Sequence, residues 1–182
     1  MTQPLFISTD MGKSCLNKFN KSIAVDCTIW QVGVKDIYLM HADEVKFTLD
    51  AEGNVKDATF ASGAASYKIE GYKQNIQLNT SVSSTDAAAK LAASVIFKMP
   101  TDNTFLMKAV LSGSYYVLVI RNSGPEILVG AQAPLECSGF DYDSNSGAGF
   151  ATVTLSAPEG SGGNYLTGIV HNAVSAIISK AV

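Results

Sequence analysis

Residues that commonly perform catalysis or bind metal ions are scarce in this sequence. Its 182 residues include two histidines, three cysteines and one tryptophan, and only 16% are charged. His41 and His171 lie far apart, without an HxH or HxxxH spacing, so they form no recognisable metal-binding pair. Few side chains are therefore suited to general acid–base catalysis.

The three cysteines, Cys15, Cys27 and Cys137, are widely spaced. They form neither a CxxC pair nor an even set for a disulfide framework, so we expect reduced, partly buried thiols. None has a recognisable catalytic surrounding, and no GxSxG motif is present. We expect no cofactor, no metal and no enzyme activity. A small hydrolase is kept as an alternative, because catalytic sites can be built from residues distant in sequence.

A basic patch and a long apolar segment are also missing. The net charge is −3 and the 13 lysine and arginine residues are scattered, unlike the basic surface of a protein that binds nucleic acid directly. No segment approaches the roughly 20 apolar residues of a membrane helix, and the amino terminus lacks a basic start followed by an apolar run. We therefore expect no membrane association and a protein that begins at Met1 in a cytoplasm.

Two short stretches suggest ligands but are incomplete as motifs. Residues 11–14 contain the GKS of a phosphate-binding loop, yet Ile7 stands where the first glycine is required. The stretch DYDSNSG, residues 141–147, places oxygen-bearing side chains at alternate positions, as calcium loops do. Its sixth and twelfth positions are Ser146 and Thr152, where such loops need Gly and a bidentate Glu. We interpret it as a polar loop.

Most apolar segments are short and rich in β-branched or aromatic residues, which is typical of strands. The predicted strands span residues 23–30, 34–40, 45–49, 55–60, 64–71, 75–83, 115–120, 126–129 and 149–156. The connection of residues 50–54, with Gly53, predicts a hairpin between the third and fourth. Residues 94–99 favour a strand, although the Ala-rich start of that segment favours a helix.

Two helices are predicted. Thr101 or Asp102 can cap the first, which ends near Gly113. The second, at 164–181, places apolar residues at i, i+3, i+4 and i+7 spacing after a Gly/Ser-rich hinge. This helix either packs on its own domain or joins subunits, and both readings are open. The candidate subunit-interface residues are Leu166, Ile169, Val170, Val174, Ile177 and Ile178.

These elements predict a mainly β fold: an antiparallel β-sandwich or barrel with one short flanking helix. We divide the chain into an N-terminal arm at 1–22, which has no clean period, a β domain at 23–157, and the hinge with the C-terminal helix at 158–182. The composition, with 47% hydrophobic residues, allows a substantial core.

The order of several segments is distinctive. A strand with Cys27 is followed by GVKDIYL at residues 33–39, a hairpin, and YKIE at residues 67–70. A helix at 101–111, a strand pair at 115–129 and the stretch DYDSNSGAGFATVTLS come next. Over roughly residues 23–157 this order resembles tail-tube-like virion proteins of tailed phages that infect Bacteroides-type hosts, including crAss-like phages.

The resemblance implies a structural virion protein without catalysis. Such a protein would form a ring of six or twelve copies in the tail or neck, with sheets joined across subunits, and would contact other tail, neck or portal proteins. It would be assembled in the host cytoplasm and located in the virion. DNA would only pass through the lumen, which suits a mildly acidic chain that does not hold phosphates. The loop residues Asp141, Asp143 and Asn145 would lie at a subunit or lumen surface.

A monomeric β-sandwich binding module, for carbohydrate or cell-surface recognition, is the alternative from another class. It would need an exposed aromatic platform. Tyr115 and Tyr116 are adjacent in a predicted strand and so face opposite ways, and Trp30 lies in an apolar run typical of a core.

Overall fold

The computed structural model describes residues 33–70, 75–83, 90–100, 104–122, 124–142, 150–158 and 166–182. Within it, Gly33–Val182 forms one compact unit. The predicted arm at 1–22, the strand at 23–30 with Cys27, the helix cap at Thr101 or Asp102, the predicted hinge of 158–163 beyond its first residue, and the loop residues Asp143 and Asn145 lie outside the described residues.

The described part is built mainly of strands. The strands are β1 (Val34–His41), β2 (Val45–Leu49), β3 (Val55–Phe60), β4 (Ser66–Glu70), β5 (Ile76–Ser83), β6 (Lys90–Pro100), β7 (Ser114–Arg121), β8 (Ile127–Val129), β9 (Leu135–Asp141), β10 (Phe150–Ser156) and β11 (Thr167–Gly168). Helix α1 (Thr104–Ser112) joins β6 to β7, and helix α2 (His171–Ile178) follows β11. A turn of 3-10 helix (Ala42–Glu44) joins β1 to β2.

Nine of the described strands form one antiparallel sheet around β7. One edge of β7 pairs with β1, which in turn pairs with β4. The other edge is shared by β8, which also pairs with β11, and by β9. From β9 the sheet continues through β10 and β6 to β5, while β2 and β3 form a separate hairpin. The predicted mainly antiparallel β fold with a short flanking helix is confirmed.

The large sheet curls around one hydrophobic core. Ile37 and Leu39 of β1 pack in the same buried cluster as Phe97 of β6 and Leu155 of β10, although these strands lie in different arms of the sheet. Val110 of α1 joins the cluster. Alternate side chains along a strand point to the inside of the curl, so strands from different parts of the sheet contribute to this core.

A second core lies on the opposite face of β1, β7 and β8. Met40 and Leu118 contribute to it from that face, and the β2–β3 hairpin covers them with Val55. Helix α2 completes the cluster with three residues, Ala173, Val174 and Ile177. Of the two readings of the C-terminal helix, the structure therefore shows packing on its own domain.

The C-terminal helix is shorter than the sequence pattern predicts. It begins at His171 rather than near residue 164, because Thr167 and Gly168 form β11 and pair with β8. Val170 is extended and donates its backbone N–H to the carbonyl oxygen of Val55 at 2.9 Å. The apolar residues before His171 thus match the helical period but belong to extended chain.

One strand, β9, is not predicted by the sequence pattern. It begins at Leu135 and its last residue, Asp141, is also the first residue of the DYDSNSG stretch. It contains Ser and Gly but no β-branched residue, and it is defined by its pairing with β10. The ambiguous segment before Pro100 is a strand, β6, which pairs with β5 over residues 90–97 and with β10 over residues 94–100.

Candidate interaction site

A cavity of about 710 Å³ opens where the curled sheet fails to close. It lies between β4, at one end of the sheet, and the adjacent ends of β5 and β6; β4 and β5 do not pair with each other in the described residues. We call this region, with the cavity and the outer edge of β5, the seam. Its residues come from elements far apart in sequence, so no short motif marks it.

The floor of the cavity is apolar and the rim is mixed. The floor consists of side chains that are at most 2% exposed: Leu39, Phe97, Met99 and Val110. Two aromatic side chains at the rim, Tyr67 and Phe150, are 43% and 45% exposed. The volume lies within the range of ordinary ligand pockets, and the lining is suited to apolar groups that approach from solvent.

The charges at the rim largely neutralise one another. Lys68 places its Nζ 2.9 Å from a carboxylate oxygen of Glu70 and 3.9 Å from one of Asp36. The hydrogen bond to Glu70 raises the pKa of Lys68, and the same bond lowers the pKa of Glu70. Because both partners are held in their charged forms against each other, the rim favours an uncharged occupant over an ion.

The outer edge of β5 is the second feature of the seam. The carbonyl oxygen of Asn75 accepts the backbone N–H of Lys98 at 3.2 Å, so Asn75 faces β6. Residues of an antiparallel strand alternate in this respect, so Ile76, Leu78 and Thr80 direct their backbone groups away from β6. No described strand pairs with that side of β5. Residues 75–83, NIQLNTSVS, contain no charged residue, proline or glycine.

The edge of β4, in contrast, is covered by the chain itself. Ser66 donates its backbone N–H to the carbonyl oxygen of Lys180 at 2.9 Å and accepts that of Val182 at 3.0 Å. Ser66 and Ala181 form a parallel bridge. The carbonyl oxygen of Val182 accepts the N–H of Lys68 at 3.5 Å. Residues 180–182 therefore shield β4, whereas nothing in the described part shields β5.

The six predicted interface residues of the C-terminal segment fall into three groups. Val174 and Ile177, 3% and 0% exposed, are core residues of their own subunit and are not available at its surface. Ile169 is partly buried against the same core. The remaining three are exposed: Leu166, Val170 and Ile178, at 37%, 37% and 42%. Contact of these three with another subunit stays a prediction.

The other residues singled out from the sequence do not converge on a site. Asp141 is exposed at the end of β9. His41 lies 3.8 Å from Asp43 and stacks edge-on against Tyr115, and Cys137 is a free, half-buried thiol. Within the described ranges, no group of three or more His, Cys, Asp or Glu residues could hold a metal ion.

None of the protein families, curated proteins or solved structures compared with this chain matches it. The described helices include none that is long and apolar enough to cross a membrane. The geometry of the seam alone makes it the strongest candidate for a functional surface among the described residues.

Proposed function

We propose that this protein is a structural virion protein that forms a ring in the tail or neck of a tailed phage and makes part of the DNA conduit, without catalysis. The observation that carries the proposal is the outer edge of β5, which no described strand covers. The resemblance described above supplies the virion context, and the edge supplies a means of assembly.

Exposed strand edges template further pairing, so soluble monomers protect them with charges, prolines, bulges or a covering segment. The eight residues of β5 include no charged residue and no proline, and the register of β5 with β6 is regular throughout, without a bulge. The same chain covers β4 with residues 180–182. Such a difference between two edges favours a role for the β5 edge in assembly. Pairing of this edge with a different surface of the next copy closes a ring when the rotation between copies closes.

The test places a charge on the edge. In Thr80→Lys the new ammonium must be desolvated when another strand is added, so the midpoint concentration of assembly, measured by light scattering after size exclusion, should rise at least roughly tenfold. Thr59→Lys makes the same change at an exposed position of β3 and should leave assembly unchanged. Equal behaviour of the two variants contradicts the proposal.

A second substitution separates assembly from folding. Thr80→Pro removes the outward N–H while the bonds from β5 to β6 remain, a position where edge strands tolerate proline. It should abolish assembly and keep the near-UV circular dichroism of the wild type. A folded Thr80→Pro protein that assembles normally contradicts the role of the edge.

The cavity favours one alternative, a monomeric binding module that accepts an apolar ligand. Under this alternative the protein stays monomeric at every concentration, and substitutions on β5 change neither its mass nor its fold. The assembly series therefore separates the two functions directly.

A further inference from the structure

The seam has two features that a single added β-strand could contact together: a strand edge and an apolar cavity. Ile76, Leu78 and Thr80 direct backbone groups to the outer edge of β5, with which no described strand pairs. The cavity beside the start of β5 offers an apolar floor. A strand added to this edge would use backbone hydrogen bonds for affinity and alternate side chains for specificity, as in β-augmentation.

We propose that the seam binds the segment Ile23–Trp30 of a second copy of this chain as an added strand. This inference rests on the proposed ring assembly and identifies its contact. The segment, IAVDCTIW, is a predicted strand outside the described residues. Its positions 23, 25, 27 and 29 are Ile, Val, Cys and Ile, so one face of such a strand is entirely apolar.

The length of the segment fits the edge. Eight extended residues span about 26 Å, and β5 also has eight residues. Its apolar face would point into the curled sheet, where the cavity floor is at most 2% exposed and lacks an apolar cover in the described part. Burial of apolar area is then the driving force, in keeping with the internally neutralised charges of the rim.

The occupied edges of β1 argue against the simplest intramolecular alternative. Only Gln31, Val32 and Gly33 separate Trp30 from β1, a connection suited to a hairpin. Both edges of β1 are already paired, one with β4 and the other with β7. Neither edge of the described β1 is free for a hairpin partner, whereas the outer edge of β5 has no partner among the described strands.

Disulfide trapping in the full-length chain tests this contact. The variant Cys15→Ser, Cys27→Ala, Cys137→Ser carries Thr28→Cys, on the face of the segment opposite its apolar face, together with Gln77→Cys or Asn79→Cys on the exposed face of β5. Because paired cysteines need Cα atoms within about 7 Å, only adjacent strands should cross-link. Mild oxidation should yield a ladder of whole-number multiples of the chain mass on a non-reducing gel, because each copy both donates a segment and receives one. Thr28→Cys with Thr59→Cys on β3 is the matched control and should not cross-link.

A second experiment tests whether the cavity is occupied in the assembly. Phe150→Ser removes a rim aromatic and should raise the midpoint concentration of assembly by roughly tenfold. Phe140→Ser is the control, because Phe140 is similarly exposed, at 40%, but does not line the cavity. Equal effects of the two substitutions contradict occupancy of the cavity.

The outcomes separate this inference from the proposed function. If rings form without any cross-link, and if Phe150→Ser leaves the midpoint concentration of assembly unchanged, the strand contact is overturned but ring assembly is not. A disulfide formed within one chain would consume the free thiols without increasing the mass on the gel. This result would show that the segment binds the seam of its own chain, which also overturns the contact between copies. A monomer at every concentration overturns both.

Discussion

The hydroxyl of Ser66 on β4 donates a 2.8 Å hydrogen bond to the carbonyl oxygen of Ile177 in α2, 111 positions away. Both residues are 0% exposed. Together with the pairing of residues 180–182 along β4, this bond ties the C-terminal tail to the curled sheet. The tail therefore stabilises the subunit that carries it, and only its outer residues remain for contacts with other molecules.

Ser66→Ala should lower the free energy of unfolding by about 1 kcal/mol, the usual net contribution of one buried hydrogen bond. The loss is limited because the carbonyl oxygen of Ile177 also accepts the N–H of Lys180. Urea unfolding followed by circular dichroism measures it. Ser138→Ala removes an exposed hydroxyl bond of 3.3 Å and serves as the control, with an expected change below about 0.5 kcal/mol. Equal losses in the two variants would argue against a special role for Ser66.

Ile177→Ala should destabilise the subunit by roughly 2–5 kcal/mol, because the removed methyl groups leave a cavity in the second core. Ile178→Ala, one position along the same helix and 42% exposed, should change stability by less than about 1 kcal/mol. The comparison separates a core helix from one that serves only assembly. A tail used only for assembly would leave the Ile177→Ala subunit as stable as the wild type.

Local signals account for the elements that the sequence predicts well. The hairpin of β2 and β3 has the predicted bounds, because its turn is encoded within residues 50–54. The bounds of α2 and the presence of β9 depend on partners distant in sequence. Leu166 and Val170 match a helical period, but pairing with β8 and Val55 holds their segment extended. A periodic pattern shows which residues can be buried without showing which partner buries them.

Gly53→Ala should destabilise the hairpin by about 1–2 kcal/mol. Gly53 has a φ of +84°, and an added Cβ would meet no atom within 4 Å, so the cost is one of backbone conformation alone. Gly53→Asn should lose less, since asparagine adopts positive φ more readily than alanine. Thermal unfolding of both variants tests the order, and an alanine variant as stable as the wild type would contradict it.

The ion pair at the cavity rim predicts a pH dependence. The pKa of Glu70 is lowered from 4.5, so its contribution to stability is present above pH 4.5 and is lost as the pH falls through the lower, folded-state value. Glu70→Gln should therefore be less stable than the wild type at pH 7, and the difference should be smaller at pH 3. Urea titrations at both pH values measure it, with Glu126→Gln as the control. A difference as large at pH 3 as at pH 7 would assign the effect to something other than the charge of Glu70.

The raised pKa of Lys68 gives the opposite dependence. Its contribution is complete below the ordinary lysine value of 10.5 and is lost as the pH rises through the higher, folded-state value. Lys68→Met keeps much of the apolar side chain and should be less stable than the wild type at pH 7. The difference should shrink at pH values well above 10.5, when urea unfolding is repeated there. A constant difference would mean that packing of the side chain, and not its charge, is responsible.

The seam could be predicted from the sequence only in part. The run NIQLNTSVS shows directly that β5 lacks charge and proline, which is a readable signal of an unguarded strand. The position of β5 as the last described strand on its side of the sheet, and the apolar cavity beside it, depend on the pairing of β1 with β4 and of β6 with β5. The floor brings Leu39, Phe97 and Val110 together from three elements, and no spacing in the chain encodes their contact.

Electron microscopy of the purified full-length protein, imaged across a concentration series alongside its mass from light scattering, is the most decisive test of ring assembly. We expect closed rings with an open channel, which Thr80→Lys disrupts and Thr59→Lys does not. A compact particle with the mass of a single chain at every concentration would contradict it.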